Sequence, residues 1–185
     1  MTTIVGVDPS LSSCGLVTWR GGRFYVDTIS TPADMPAPER HHRIVSRVLR
    51  MAQGPTLYVV EGMIKPSDEA MRGLSTLDLA QLRGVLNYGI HVKGHRRVEV
   101  HPSTLKVWAI GRGKASKDDM VAAARGRLGQ LLFARNDDEA DAAFLCTLAL
   151  HHYGRPQWRP PRSHLRALTV PEWPPFTLEE TINAR

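Results

Sequence analysis

The apolar positions of this chain change their spacing several times, and each change marks an element. "TTIVGVD" is a short β-branched run, the pattern of a buried strand, and it ends on Asp8. "PSLSS" follows as a turn; "CGLVTW" and "RFYVDTI" read as two further strands joined through "RGG". "TPADMPAP" is a loop punctuated by proline. "ERHHRIVSRVLRMA" places Ile44, Val45, Val48, Leu49 and Met51 at helical spacing beneath a basic outer face. "TLYVVE" is another buried-strand run, ending on Glu61. From Ser67 to Val92 the pattern is again helical, with Met71, Leu74, Leu82, Val85, Leu86 and Ile90 recurring. "RRVEVH" is the last strand. "PSTLKVWAIG" starts a short helix with proline in its first turn. "RGKAS" is a basic loop. "SKDDMVAAARGRLG" is a helix with Ser116 as N-cap and Asp119 at the capping-box position. The helix in "NDDEADAAFLCTLAL" closes the series.

Three consecutive strands joined by tight turns predict an antiparallel meander, and the later alternation of strand and helix predicts parallel crossovers. The expected fold class is therefore α/β: a mixed five-stranded sheet, three antiparallel strands and then parallel ones, with helices on both faces. From about His152 the composition turns to Pro, Arg and Trp with no sustained period. The expected organisation is one domain over residues 1–152 and a C-terminal arm over 153–185, extended or partly disordered. No apolar run is long enough to span a bilayer, and "MTTIVGVDPS" lacks the basic flank and apolar stretch of a signal peptide, so a cytoplasmic protein is expected. Cys14 and Cys146 lie far apart in apolar surroundings, which predicts buried thiols in a reducing compartment and no zinc site. The pairs His41–His42 and His151–His152 are expected to be exposed on helices.

The chain carries 24 basic and 18 acidic residues, a formal net charge of +6, which points to a polyanion as partner. Against that background the acids of the last helix stand out. Asn136, Asp137 and Asp138 suit its N-terminus, where carboxylates accept free N–H groups and complement the helix dipole. Asp141 is harder to explain as a cap. It shares a face with Asp137 and Asp138, and a carboxylate at the mouth of a buried helix needs an Arg, a Lys or a metal as partner. The segment alone leaves capping and metal chemistry both open.

Asp8 and Glu61 each end an apolar strand. If those strands are neighbours, their carboxylates emerge together, and Asp138 and Asp141 can join them from a helix packed on that edge. At ~4 Å and an effective dielectric of ~20, each like-charged pair repels by about 4 kcal/mol. Hard divalent ions with oxygen ligands, Mg²⁺ or Mn²⁺, resolve such a cluster. Two of them ~4 Å apart stabilise both the attacking and the leaving oxygen of a phosphodiester displacement.

The segments "IVGVDPSLSSCGLVTW", "VVEG", "LKVWAIGRGKASKDDMV" and "DDEADAAFLC" fall in an order and at spacings that resemble the RuvC family of Holliday-junction resolvases, over about residues 3–152. The resemblance implies a ribonuclease H-like fold. It implies a metal-dependent, structure-selective DNA endonuclease that resolves junctions by paired phosphodiester cleavage. In that family four acids hold two divalent metals, and they correspond here to Asp8, Glu61, Asp138 and Asp141. Asp137 and Glu139 are then left to capping and solvent. Family lysines that contact junction phosphates correspond to Lys106 and Lys117; Lys114, Arg112 and Arg72 are further candidates for backbone contacts. The family's aromatic residue three positions after the strand-end Glu is here Ile64, an apolar wedge with weaker stacking. The implied partners are four-way or branched DNA and a second copy of the chain, since a two-fold substrate suits a symmetric dimer. A branch-migration motor is not readable. The compact form and the long tail resemble a viral or actinobacterial variant.

Other readings are a looser fork or flap nuclease, which Ile64 keeps open, and a junction-binding protein without catalysis, which the intact acidic set opposes. An actin-like sugar kinase or ATPase would need glycines early in "DPSLSSCG" and a second lobe, and the chain is too short for two. His101 closes a strand from which it can approach the site. No Ser, His and Asp order suggests acyl chemistry.

Overall fold

The computed structural model describes residues 1–63 and 74–178. Strands β1 (Thr3–Asp8), β2 (Ser13–Arg20) and β3 (Arg23–Ser30) are followed by α1 (Ala37–Leu49), β4 (Thr56–Glu61), α2 (Leu74–Val92), β5 (Arg96–Val100), α3 (Pro102–Ile110), α4 (Lys117–Leu128) and α5 (Asp137–His152). A 3₁₀ helix spans Arg162–Thr169. The sheet order is β3-β2-β1-β4-β5. β1 and β2 pair antiparallel, as do β2 and β3, whereas β1–β4 and β4–β5 are parallel. The expected mixed sheet is thus the one observed.

Side chains alternate across a strand, and the two faces of the sheet feed two cores. Val5, Val7, Tyr58 and Val60 pack against Ile44 and Val48 of α1 and Leu82, Leu86 and Ile90 of α2. On the opposite face Ile4, Val59 and Val98 meet Leu105 and Trp108 of α3 and Phe144 and Leu148 of α5. Burial on both sides explains why β1 and β4 read as unbroken apolar runs. α5 lies directly on β1 and β2. A Cβ on Gly6 would strike the Ala142 carbonyl and come within 2.9 Å of the Cys146 nitrogen, and one on Gly15 would strike the Asp138 carbonyl. These two glycines set how close α5 comes to the sheet. The capping box at Ser116 and Asp119 is present as expected.

Two histidine expectations are corrected. His41 is buried. It lies three residues before Ile44 and four before Val45, on the inward face of α1. His151 is half-buried, edge-on to the Trp108 ring at 5.2 Å between centroids. His42 is exposed as expected, and His152, though exposed, stacks on Trp173. Both cysteines are buried free thiols. Ile64, Arg72 and the first part of the helix expected from Ser67 lie outside the described residues.

After α5 the chain runs back along α3 and α5. Trp158 meets Trp108 edge-on, the buried His164 ring sets Nδ1 2.7 Å from the Trp108 carbonyl oxygen, and Trp173 Nε1 donates to the Leu168 carbonyl. Tyr153 donates its hydroxyl to the Pro174 carbonyl. Among the described residues no helix is long and apolar enough to cross a membrane.

Candidate functional site

A cleft of about 720 Å³ opens where β1 and β4 end and α5 begins; Asp8, Glu61, Asp138, Asp141, Lys106 and Lys117 all line it. Topology brings the acids together. In the parallel β1–β4 pair Val7 stands opposite Val60, so the next residues, Asp8 and Glu61, leave the sheet side by side and share a hydrogen bond. Asn136 caps α5 by accepting from the Glu139 N–H. That fixes the first turn over the end of β1, with the Ser13 hydroxyl bonded to Asp138. Asp141 follows one turn later on the same face.

The electrostatics of the group are strained. Burial, and then the neighbouring Asp138, hold Asp8 above the usual carboxylate range. Burial, followed by Asp8 and Asp141, raises Glu61. Asp141 is pushed up to about 8 by burial and by Asp8, with Lys106 opposing, and its Oδ1 is buried without a hydrogen-bond partner. Burial also raises Asp138. Among the described residues no three acidic, His or Cys side chains converge closely enough to enclose an ion between them. The chemistry of the donors nonetheless suits a hard cation: all four are carboxylates, they repel one another, and one buried oxygen has no partner.

The expected cations divide into two groups. Lys106 on α3 and Lys117 at the start of α4 line the cleft. Lys117 Nζ lies 2.5 Å from Asp137, whose hydrogen bond and charge raise the lysine's pKa. Arg112 and Lys114 are exposed in the α3–α4 loop and are not brought to the cleft; Arg112 pairs with Asp119 at 3.5 Å. His101 serves as the N-cap of α3, its Nδ1 accepting from the Ser103 N–H, and does not line the cleft.

Two residues depart from expectation. Glu139 is not a solvent-facing charge: it is fully buried, accepting from the Thr28 hydroxyl, the Arg135 N–H and the Arg135 guanidinium. Burial pushes its pKa up, but these bonds outweigh it and hold the group low. Arg83, which sequence reading passed over, lines the cleft and donates to the Glu61 carbonyl. Its signal was its place in α2, on helical spacing with Leu79, Leu86 and Ile90, a cation within an apolar stripe.

Residues 4–152 match the family described as crossover junction endodeoxyribonuclease RuvC. The chain belongs to the RuvC family. Similar relatives, each named crossover junction endodeoxyribonuclease RuvC, include that of Corynebacterium jeikeium, 28% identical over 172 residues that cover 87% of this chain and 97% of the relative. That of Anaeromyxobacter sp. strain Fw109-5 is 32% identical over 153 residues, covering 78% and 72%. Thermus thermophilus RuvC has the same fold, with a TM-score of 0.63 at 24% identity, covering 83% of this chain and 97% of that one. Its complex with a Holliday junction substrate gives 0.62 at 21%, covering 84% and 98%. The RuvC match ends with α5, so the segment that returns along α3 lies beyond it.

Proposed function

We propose that this member of a crossover junction endodeoxyribonuclease family is a structure-selective DNA endonuclease. It resolves Holliday junctions by paired phosphodiester hydrolysis at a divalent-metal site made by Asp8, Glu61, Asp138 and Asp141. The observation that carries the reading is that these four carboxylates, from two strand ends and one helix, line one cleft edged by Lys106 and Lys117. Two Mg²⁺ or Mn²⁺ ions held by the four acids would supply the activated water and the charge that stabilises the leaving 3′ oxygen. The chain's own residues do the rest. Asp8 and Glu61 are carried by paired strands and Asp138 and Asp141 by the capped helix, so the backbone that bears them is placed before substrate arrives. Arg83 holds the backbone at the end of β4. Lys106 and Lys117 neutralise and orient the scissile phosphate, Lys117 exchanging Asp137 for it. Arg112 and Lys114 sit on the loop between α3 and α4 as backbone contacts farther along the DNA, and Ile64 serves as the apolar wedge at the branch.

A symmetric homodimer supplies the second cut. Leu77, Val85, Tyr88 and Val92 are exposed apolar residues of α2, spaced so that they fall on one face, and this stripe supports an isologous contact. Tyr88→Asp is expected to yield a monomer by sedimentation that nicks one strand without the matched second nick.

The test is cleavage of a labelled four-way junction, a Y-fork and a linear duplex in Mg²⁺ by wild type and Asp138→Asn. The expected result is symmetric junction nicks that fall by about 10³-fold in the variant, with junction binding retained. Equal cutting of forks would widen the assignment to branched DNA in general. Binding with no cutting in Mg²⁺ or Mn²⁺ would overturn the catalytic reading.

A further inference from the structure

We propose that the C-terminal segment, residues 153–178, is a second phosphate-binding element that grips the DNA as it leaves the cleft. The inference rests on the DNA-binding part of the function proposed above. The segment carries four arginines (Arg155, Arg159, Arg162, Arg166) against one acid, Glu172, a net +3, and lies beyond the RuvC match. Such a composition in a loose tail would mean little. Here the tail is anchored by Trp158 against Trp108, by His164 on the Trp108 carbonyl, and by Arg127 lying over the Trp158 ring. The charges are thus held on a fixed scaffold, so less conformational entropy is lost when they meet a ligand.

The anchoring also fixes where the charges sit. Gly111 ends α3 in the left-handed conformation at φ 91°, and a side chain there would collide with His164. The Arg166 guanidinium donates to the Gly111 carbonyl at 3.2 Å. The 3₁₀ helix therefore flanks the start of the loop that carries Arg112 and Lys114 and leads to Lys117. α3 itself begins at the cleft, with Pro102 and Lys106 in its lining. From Lys106 to Gly111 it advances about 1.5 Å per residue, which matches only about two nucleotides of a DNA strand at ~3.4 Å each. A duplex that holds one phosphate at Lys106 and runs on along α3 would meet this surface. Arg159, Arg162 and Arg166 are exposed. Arg159 and Arg162 have no side-chain hydrogen bond or ion pair among the described residues. The surface is basic and open, with Leu165 and Val170 exposed beside the arginines, and its charge suits the sugar-phosphate backbone.

The experiment uses full-length protein, a fluorescein-labelled immobile four-way DNA junction and EDTA, with anisotropy read at 50, 100 and 200 mM KCl. Arg159→Ala/Arg162→Ala removes two exposed charges that make no side-chain hydrogen bond or ion pair among the described residues, and thermal melting should match wild type. Each phosphate contact adds about 0.9 to the slope of log affinity against log salt. The double variant should therefore lose about 2 from that slope, and its affinity deficit should grow about tenfold between 200 and 50 mM KCl. Unchanged affinity and slope would overturn the proposal. Lys106→Ala/Lys117→Ala separates the two readings. If that variant loses slope and the arginine variant does not, the segment is no DNA element and the cleft reading stands. If wild type binds no junction at any salt, both fall.

Discussion

Adding one methyl group at Gly15 is expected to uncouple the cleft acids without removing any carboxylate, because it strikes the backbone of Asp138. Gly15 pairs with Asp8 across β1 and β2, and the first turn of α5 rests on it. A Cβ built there falls about 1 Å short of a tolerable distance from the Asp138 carbonyl oxygen. The obstacle is backbone, so no rotamer change relieves it, and either α5 lifts by about 1 Å or β2 bends away. Overpacking of this kind costs about 1–3 kcal/mol; in a chain of this size each kcal/mol lowers Tm by about 2–4 °C. The functional loss should be larger, since a ~1 Å misplacement of a catalytic group costs about 10²-fold in rate. Gly126→Ala is the matched control. It lies within α4 with open space around its Cβ position, and helix propensity there favours alanine by about 1 kcal/mol. Single-turnover junction cleavage in Mg²⁺, junction binding in EDTA and thermal melting would be measured on both. Gly15→Ala should cut about a hundredfold more slowly, melt several degrees lower and still bind; Gly126→Ala should cut normally and melt slightly higher. Gly15→Ala with wild-type melting and cleavage within twofold would refute the claim that α5 is seated by this contact.

Further predictions follow from the charges. Asp8, Glu61 and Asp141 all have raised pKa values in the fold, Asp141 to about 8. A folded state that keeps protons the unfolded chain has lost is most stable below the ordinary carboxylate pKa and loses that contribution as pH rises through the folded value. Metal-free protein in EDTA should thus melt lower at pH 8.5 than at pH 5.5, and Asp141→Asn should flatten the dependence; a flat wild-type profile would contradict the clustering. Glu139→Ala should lose about 1–3 kcal/mol, because it strands the Thr28 hydroxyl and the Arg135 N–H; urea unfolding reads it, and unchanged stability would count against the buried role. Lys117→Ala removes an exposed ion pair with Asp137 and should leave stability within about 0.5 kcal/mol. It should still reduce the salt slope of DNA binding by about 1, and an unchanged slope would remove Lys117 from the phosphate path.

The elements were legible because their burial is simple. β1 and β4 are covered on both faces and show as continuous apolar runs, α1 carries a clean helical stripe, and the Ser116–Asp119 box announces α4. The site was legible in part. Asp8 and Glu61 stand out as acids ending apolar strands, but their adjacency depends on β4 pairing with β1 across the α1 crossover, which no local spacing encodes. Glu139 looked solvent-facing because Thr28, one of the groups that hold it, is distant in sequence. Arg83 lies on the spacing of Leu79, Leu86 and Ile90, so position along α2 does not set it apart from the apolar stripe. The segment after α5 shows no period because it inserts its large residues at irregular intervals, Trp158 and His164 against Trp108 and Trp173 against His152 and Tyr153, so its packing cannot be read as a helix or strand pattern.

The central claim is that the four carboxylates form a divalent-metal site. The most direct measurement is diffraction from crystals soaked in Mn²⁺, recorded at the manganese absorption edge, for wild type and Asp8→Asn. The account predicts two anomalous peaks among Asp8, Glu61, Asp138 and Asp141 in wild type, and loss of at least one in the variant. Manganese bound elsewhere with the cleft left empty, or peaks unchanged by Asp8→Asn, would contradict it.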